Sequence, residues 1–482
     1  MSRPGIIVVD HGTSATKGFL FDKRLEIVAT EKIRHTVDRP KPGWVECDAT
    51  EILTACETVI DKMVEEAHTQ SLTIATIGMA FQRSTFLFWR KADGEPAAPA
   101  MSWQDSRADG LAKGISEHSG FVQQKTGIPL TGHFGGPKYL HTITNHSNIK
   151  DGVEKGDLFF GPLSSFVTHR LTGNHLIDQS IAGRSLLMDI ATLQWEDDLL
   201  KLFQVRERAL PQIVPTSYSF GTVKAGGKAI PLLCVIGDQQ ASLIGQGRWR
   251  KGDVSMNFGT SGSVLVNCGQ SSIVVPSLLT NVLYSTAEAT HFLLEGTINS
   301  IGSLFKWVEG RLEIPHEEIM WDKRCELETE GVLVPGLNGI SAPYWTGEFE
   351  TEVFGLNNDT EPNQFIRAAM ESIGFLVHDI CHVMKEEAGI ETGDIVASGG
   401  SSRTPLLQFI SDLLDTDLHT TQGKDMTALG VARLAAHSAL GQPLDAVTSR
   451  DKVFHPIMPA SAREKKISAW HNAVRKLSIL KD

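Results

Sequence analysis

A chain of 482 residues is too long for one hydrophobic core, because cores stop growing near roughly 250 to 300 residues, so two units of similar size are expected. Hydrophobic content of 41% and charged content of 21% are those of an ordinary globular protein, and no stretch reaches the ~18 uninterrupted apolar residues of a membrane span. The formal net charge of -12 opposes a nucleic-acid partner, which needs a basic face, and the six scattered cysteines, with no Cys-x-x-Cys pair, read as reduced thiols of a cytoplasmic protein.

Residues 6–22, IIVVDHGTSATKGFLFD, set two apolar runs around a polar turn and predict a strand hairpin. The four-residue apolar run before Asp10 is too short for a signal-peptide core of roughly 7 to 15 residues, so it is expected to be a first strand. In EILTACETVIDKMVEEA, Ile52, Ala55, Cys56, Val59, Ile60, Met63 and Val64 share one helical face, and TIATIGMAF follows as a buried strand. Residues 95–200 carry loop signals such as TGHFGGPKY and LTGNH and are expected to form an insertion or cap. PLLCVIGDQQASLIGQG turns from strand to helix at Gly237-Asp238, and the charged seam RWRKGD near residue 250 places a boundary between units 1–246 and 247–482.

The second unit repeats the first. SMNFGTSGSVLVNCG is strand, Gly-Thr-Ser turn, strand, and THFLLEGT is another strand. A long helix is expected from Asn363 to Glu387, with Pro362 at its entry and Gly389 past its end. DIVASGGSSRTPLLQFISDLLDT is a strand, a double glycine and a helix with Thr404 as expected N-cap. The terminal REKKISAWHNAVRKLSIL spaces Ile467, Trp470, Val474, Leu477 and Leu480 as one apolar helix face, which packs on the first unit or on a partner, a second copy included.

The chemistry starts from the turns. Gly12, Thr13 and Ser14 offer backbone N–H groups and two hydroxyls on one side, a cradle for phosphate, with Lys17 adding positive charge. One such turn mostly just reverses a strand; two, with Gly259, Thr260 and Ser261 as the second, can clamp a polyphosphate from both sides of a cleft. Asp10, ending an apolar strand, is placed to hold Mg2+ through water. Asp238 ends another such strand, where open α/β sheets bind ligands; it reads equally as a helix N-cap or as the base that accepts a proton from an attacking hydroxyl.

The ordered series DHGTSATK, PGWVECD, QRSTFLFW, WQDSRA, HRLTG, GDQQAS, NFGTSG, SAPYW, AAMES and SGGSS resembles the FGGY carbohydrate kinases from about Gly5 to about Gly441, most closely in its glycerol kinase members. The resemblance implies an α/β fold of two actin-like ATPase (ribonuclease-H-like) domains flanking a central cleft that closes on ATP and a small polyol or sugar. It implies that Thr13, Ser14 and Lys17 face the terminal phosphates with Thr260 opposing them, that Asp10 and Asp238 serve the metal, and that Asp238 is the base. It places Gly302, Gly400 and Ser401 at ribose and adenine, with Lys306 and Arg403 as unusual cations beside them, and Arg83, Ser84, Trp103, His133 and Gln239 around the substrate.

Two positions depart from the glycerol kinase pattern. Ser84 replaces a glutamate, and His133 replaces a tyrosine, changes that leave room for a larger polyol or ketose; the Gly-Thr-Ser-Gly second turn leans toward pentulose kinases. The structural alternatives are Arg83 as an ion-pair partner, His133 as a satisfied loop histidine and Trp103 as a packing anchor. The rival function is a nucleotide-binding actin-like regulator without phosphoryl transfer.

Overall fold

A computed structural model describes residues 3–316, 318–356, 360–421, 423, 425–444 and 448–477, which form two large mixed sheets with helices on their faces. The first sheet carries β1 (Arg3–His11), β2 (Ala15–Asp22), β3 (Ile27–Arg34), β4 (Leu72–Phe81), β5 (Ser217–Ala225) and β6 (Lys228–Gly237) in the order β5-β6-β4-β1-β2-β3. β1 and β2 form the expected antiparallel hairpin, while β4 runs parallel to β1 and β6 parallel to β4. Asp10 lies opposite Ala80, and Ala80 opposite Ile236, so the three parallel strands end level. Their carboxyl ends therefore bring Asp10, Arg83 and Asp238 to one rim, the edge at which open α/β sheets take ligands.

Helix α1 (Ala49–Thr69) begins where the Asp48 side chain accepts the backbone N–H groups of Thr50 and Glu51, and it buries Ile52, Cys56, Val59, Ile60 and Met63. Helix α2 (Asp238–Gly245) continues directly from β6, with Gly237 as its N-cap residue. The insertion is a folded unit rather than loops. Strands Glu46–Cys47, Ala100–Met101, Phe86–Arg90 and Leu158–Pro162 make a four-stranded sheet, with Phe86, Phe88, Tyr139, Phe160 and Phe203 in a core of its own.

The second sheet holds β7 (Val254–Phe258), β8 (Gly262–Gly269), β9 (Leu279–Ser285), β10 (Thr290–Ile298), β11 (Ile395–Ser398), β12 (Leu418–Thr421) and β13 (Arg450–Phe454), ordered β9-β10-β8-β7-β11-β12-β13. Its β7–β8 hairpin with β11 parallel to β7 repeats the β1–β2 hairpin with β4 parallel to β1. The longer helices of this half are α3 (Gly302–Leu312), α4 (Pro362–Glu386), α5 (Thr404–Leu414), α6 (Met426–Leu440) and α7 (Ala460–Lys476). The N-cap of α5 is Arg403, in extended backbone with no side-chain cap bond, and Thr404 is the first helical residue. α7 packs on the second unit, where Trp470 stacks on Phe375 of α4 at 5.2 Å; Leu480 lies outside the described residues. No described helix is long and apolar enough to cross a membrane.

α6 belongs by sequence to residues 247–482 but packs on the first sheet. It lies in sequence between β12 and β13 of the second sheet, yet Ala428, Val431, Ala432 and Ala435 are buried with Ile6, Val8, Ala80 and Ile236 of the first. α6 crosses α2 with backbone against backbone: a Cβ on Gly430 would stand 1.8 Å from the Ala241 carbonyl oxygen, and one on Gly245 1.8 Å from that of Met426. A methyl at either point forces the helices apart. Gly430→Ala is expected to destabilise the protein by about 3 kcal/mol in urea unfolding.

Candidate active site

Both Gly-Thr-Ser hairpins open into one cleft of about 930 Å³, lined by Thr13 of the first, by Asn257, Ser261 and Gly262 of the second, and by Asp238. In the first, the Gly12 N–H donates to Ala15 at 3.0 Å, closing the turn, and the Trp103 indole Nε1–H donates to Thr13 Oγ1 at 3.0 Å. With its oxygen already accepting, the Thr13 hydroxyl keeps its own proton to donate to an anion. Ser14 is exposed beside it. Lys17 Nζ pairs with Asp425 Oδ1 at 3.2 Å, a link from β2 to the segment entering α6.

The second hairpin is held from behind. Gly302 N–H donates to the Gly259 carbonyl at 3.1 Å, Ser401 Oγ to the same carbonyl at 2.8 Å, and Ser401 N–H to Phe258 at 2.8 Å. Thr260 is exposed at the tip. A Cβ on Gly302 would meet Gly259, Thr260 and Ser401 at 3.2 to 3.3 Å, whereas Gly400 has nothing within 4 Å of that position and presents open backbone. Gly302, Gly400 and Ser401 thus gather beside the hairpin. Lys306 is exposed on α3, and Arg403 is half-buried with its Nε unpartnered among the described residues; neither lines the cleft.

On the acceptor side, Arg83, Ser84, Trp103, His133, Asp238 and Gln239 all line the cleft. Ser84 sits at a φ of 62°, rare for a residue with a side chain, is 1% exposed, and its Oγ has no hydrogen-bond partner among the described residues. Beneath it, fully buried Lys138 donates to the Ser84 and Ser102 carbonyls, both at 2.7 Å, and so ties together the QRST and WQDSRA segments. Burial brings Lys138 down to about 7. The His133 ring lies 6.3 Å from Trp103 and is held well below its ordinary range, first by burial and then by Lys138 and Arg184, so it is a neutral hydrogen-bonding group at neutral pH.

Arg83 is committed to a carboxylate that sequence reasoning passed over. Its Nη1 and Nη2 donate to Glu295 Oε2 and Oε1 at 2.8 and 2.9 Å, and Arg184 binds the same carboxylate. Glu295 is 2% exposed, on β10 of the second sheet, so the pair joins the two units across the cleft. The signal was present as a lone acid inside the apolar run FLLEG of a buried strand. Burial alone would raise the Glu295 carboxyl, but Arg184 and Arg83 outweigh it and hold it at about 2. Arg83 Nε lies 3.7 Å from Asp238 Oδ1.

Asp238 is the first residue of α2 rather than its N-cap; its Oδ1 accepts the Gln239 N–H at 2.8 Å, and the side chain keeps 25% of its surface exposed in the cleft. Burial raises its carboxyl above the usual range, with Arg83 opposing. Asp10 is raised to about 7, by burial and then by the negative charge of Asp238, with Lys17 opposing. Two crowded carboxylates, oxygen donors short of positive charge, are the donor set that a hard divalent cation such as Mg2+ fits.

Residues 5–245 match the N-terminal domain, and residues 254–439 the C-terminal domain, of the FGGY family of carbohydrate kinases. The glycerol kinase of Acidiphilium cryptum is 33% identical, over 97% of each chain. A crystal structure of Plasmodium falciparum glycerol kinase with ADP has a TM-score of 0.93 at 31% identity and covers 98% of both chains. A ligand-bound xylulose kinase from Lactobacillus acidophilus, 22% identical with a TM-score of 0.89 over 98% of both chains, shares the fold. The two sheets are the actin-like, ribonuclease-H-like ATPase domains of sugar kinases. With both domains and the full length matched, the chain belongs to the FGGY family of carbohydrate kinases, phosphotransferases that act on an alcohol group.

Proposed function

We propose that the protein transfers the γ-phosphoryl group of ATP to a hydroxyl of an uncharged polyol or ketose, with Asp238 as the general base. The observation that carries this reading is the placement of Asp238 in one cleft with Thr13 of the first hairpin and Ser261 of the second. Phosphoryl transfer needs positioning, charge neutralisation and a proton acceptor, and little else. Thr13, Ser14, Lys17 and Thr260 hold the phosphates; Gly302, Gly400 and Ser401 seat ribose and adenine, with Lys306 and Arg403 at the margin. Asp10 and Asp238 would hold Mg2+, which when bound neutralises charge on the transferring phosphates. Domains 1–246 and 247–482 then close over the reactants and exclude water. The six free, buried cysteines accord with a cytoplasmic setting.

The charges lining the cleft support an uncharged acceptor. Arg83, Lys113 and Arg184 are matched by Asp109, Asp238 and Glu295, and Arg83 is saturated by Glu295, so no surplus cation waits for a sugar acid. Ser84, smaller than the glutamate of the glycerol kinase pattern and without a hydrogen-bond partner among the described residues, is placed to bond an acceptor hydroxyl. Ser84→Ala is expected to lower kcat/KM for the acceptor by about 10- to 100-fold, while thermal stability stays level or rises, because the deleted hydroxyl bonds nothing among the described residues.

ADP release measured over glycerol, tetritols, pentitols, ketopentoses and gluconate tests the proposal. An uncharged acceptor should exceed gluconate by about 100-fold or more in kcat/KM. A preference for gluconate would refute the charge argument, and ATP consumption independent of every acceptor would refute the kinase reading.

A further inference from the structure

Away from the cleft, α4 and α7 meet at a second convergence of metal-ligating side chains. Asp379 of α4, buried to 4% exposure, takes His378 Nδ1 at 3.2 Å and His471 Nε2 of α7 at 2.9 Å on one oxygen, Oδ1. Its other oxygen, Oδ2, accepts the Trp470 indole at 2.6 Å and the Tyr344 hydroxyl at 2.7 Å. The ligand atoms of His378, Asp379 and His471 all lie within 4.8 Å of one another. Four ligands at zinc bond lengths of roughly 2.0 to 2.1 Å sit about 3.3 Å apart around a tetrahedral ion, so small adjustments place these three around one.

We propose that His378, Asp379 and His471 form a site for a divalent transition metal, Zn2+ by preference, that clamps the C-terminal helix α7 onto α4. Two imidazoles and one carboxylate are borderline ligands of the kind Zn2+ selects. The Trp470 and Tyr344 hydrogen bonds to Oδ2 hold the carboxylate so that Oδ1 alone faces the imidazoles, the outer-shell support that a monodentate ligand needs. The His471 side chain keeps 32% of its surface exposed, which gives an ion a way in. Each imidazole moves its proton to the outer nitrogen when the inner one takes the metal. The fourth position falls to water or to exposed His382, whose ring stacks 6.0 Å from His378 one turn along α4. Tyr344 also ties the site to the segment whose next residue, Trp345, lines the substrate cleft.

The test uses the full-length protein, stripped with chelator and titrated with Co2+ and then Zn2+. The expected result is one equivalent of Co2+ with the strong visible absorption of tetrahedral nitrogen–oxygen ligation, displaced by Zn2+, and a rise in Tm of about 2 to 4 °C with Zn2+. Oxygen-only coordination at Asp10 and Asp238 would give a weak octahedral spectrum instead. His471→Gln can still donate to Asp379 but cannot ligate in the same way, and should weaken binding by about 100-fold or more with little change in the Tm of the stripped protein. Asp10→Asn should leave the tetrahedral signal intact. Absence of tetrahedral Co2+ in the wild type would overturn the proposal, whether or not the variants fold. Its survival in both His378→Gln and His471→Gln would overturn it equally.

Discussion

Asp238→Asn is expected to lower kcat by about 10³-fold, to leave ATP affinity within a few-fold, and to leave the protein as stable as before or more so. Asn keeps the shape of Asp and can still accept the Gln239 N–H, so α2 should begin where it does now. What it loses is the capacity to take a proton. An alcohol becomes acidic only as its bond to phosphorus forms, and a carboxylate raised by burial, as Asp238 is, is a stronger base at that moment than an exposed one. The stability sign follows from the same raised carboxyl. A folded-state pKa above the unfolded value means that the stabilising contribution of this group is complete below its ordinary pKa and is lost as pH rises through the folded one. At neutral pH the charged group therefore costs stability, and neutral Asn removes that cost. Loss of turnover with a level or higher Tm would separate a chemical role from a structural one; a helix cap alone would show the reverse.

Glu295→Gln is the second large effect, expected to destabilise the protein by about 3 to 5 kcal/mol and to change acceptor choice. It deprives buried Arg184 of the carboxylate it binds and leaves Arg83 only Asp238, 3.7 Å from its Nε, and it weakens a link between the two domains. Because Arg184 and Arg83 hold Glu295 at about 2, the stability it contributes is present above its ordinary pKa of 4.5 and disappears as pH falls from about 4.5 toward about 2. The gap in unfolding free energy between wild type and variant should therefore be widest near neutral pH and close in acid. With one negative charge removed from a balanced cleft, the variant should also turn over gluconate better relative to a pentitol than the wild type does. A gap that persists unchanged in acid would contradict the ion-pair account.

These two residues show what the sequence made legible and what it did not. Asp238 was readable because the signal is local: an apolar strand, a glycine and the start of a helix, all within ten residues. The same holds for the two hairpins and for α4, whose apolar spacing and terminal Pro362 and Gly389 announce it without tertiary help. Glu295 meets Arg83 at a sequence separation of 212 and Arg184 at 111, and no local pattern ties those positions together. Lys138 was quoted only as part of a turn-rich stretch, although it is the cation under the pocket floor. α6 carries no local signal of where it packs. Its alanine-rich face is buried with Ile6, Val8 and Ile236 of the first sheet, and Gly245 and Gly430 let it cross α2 with backbone against backbone. Around the second hairpin, Gly302 and Ser401 bond the Gly259 carbonyl from behind, and neither they nor Lys306 and Arg403 are among the residues lining the cleft.

The claim on which the account rests is that the two hairpins and the carboxylate between them move a phosphoryl group to a hydroxyl. The most direct measurement is to incubate the enzyme with ATP, Mg2+ and its best uncharged acceptor and follow the phosphorus by 31P NMR. The account predicts one phosphomonoester of the acceptor for each ADP formed, with no matching inorganic phosphate. ADP accompanied by inorganic phosphate alone, or ATP bound and left intact with every acceptor, would contradict it.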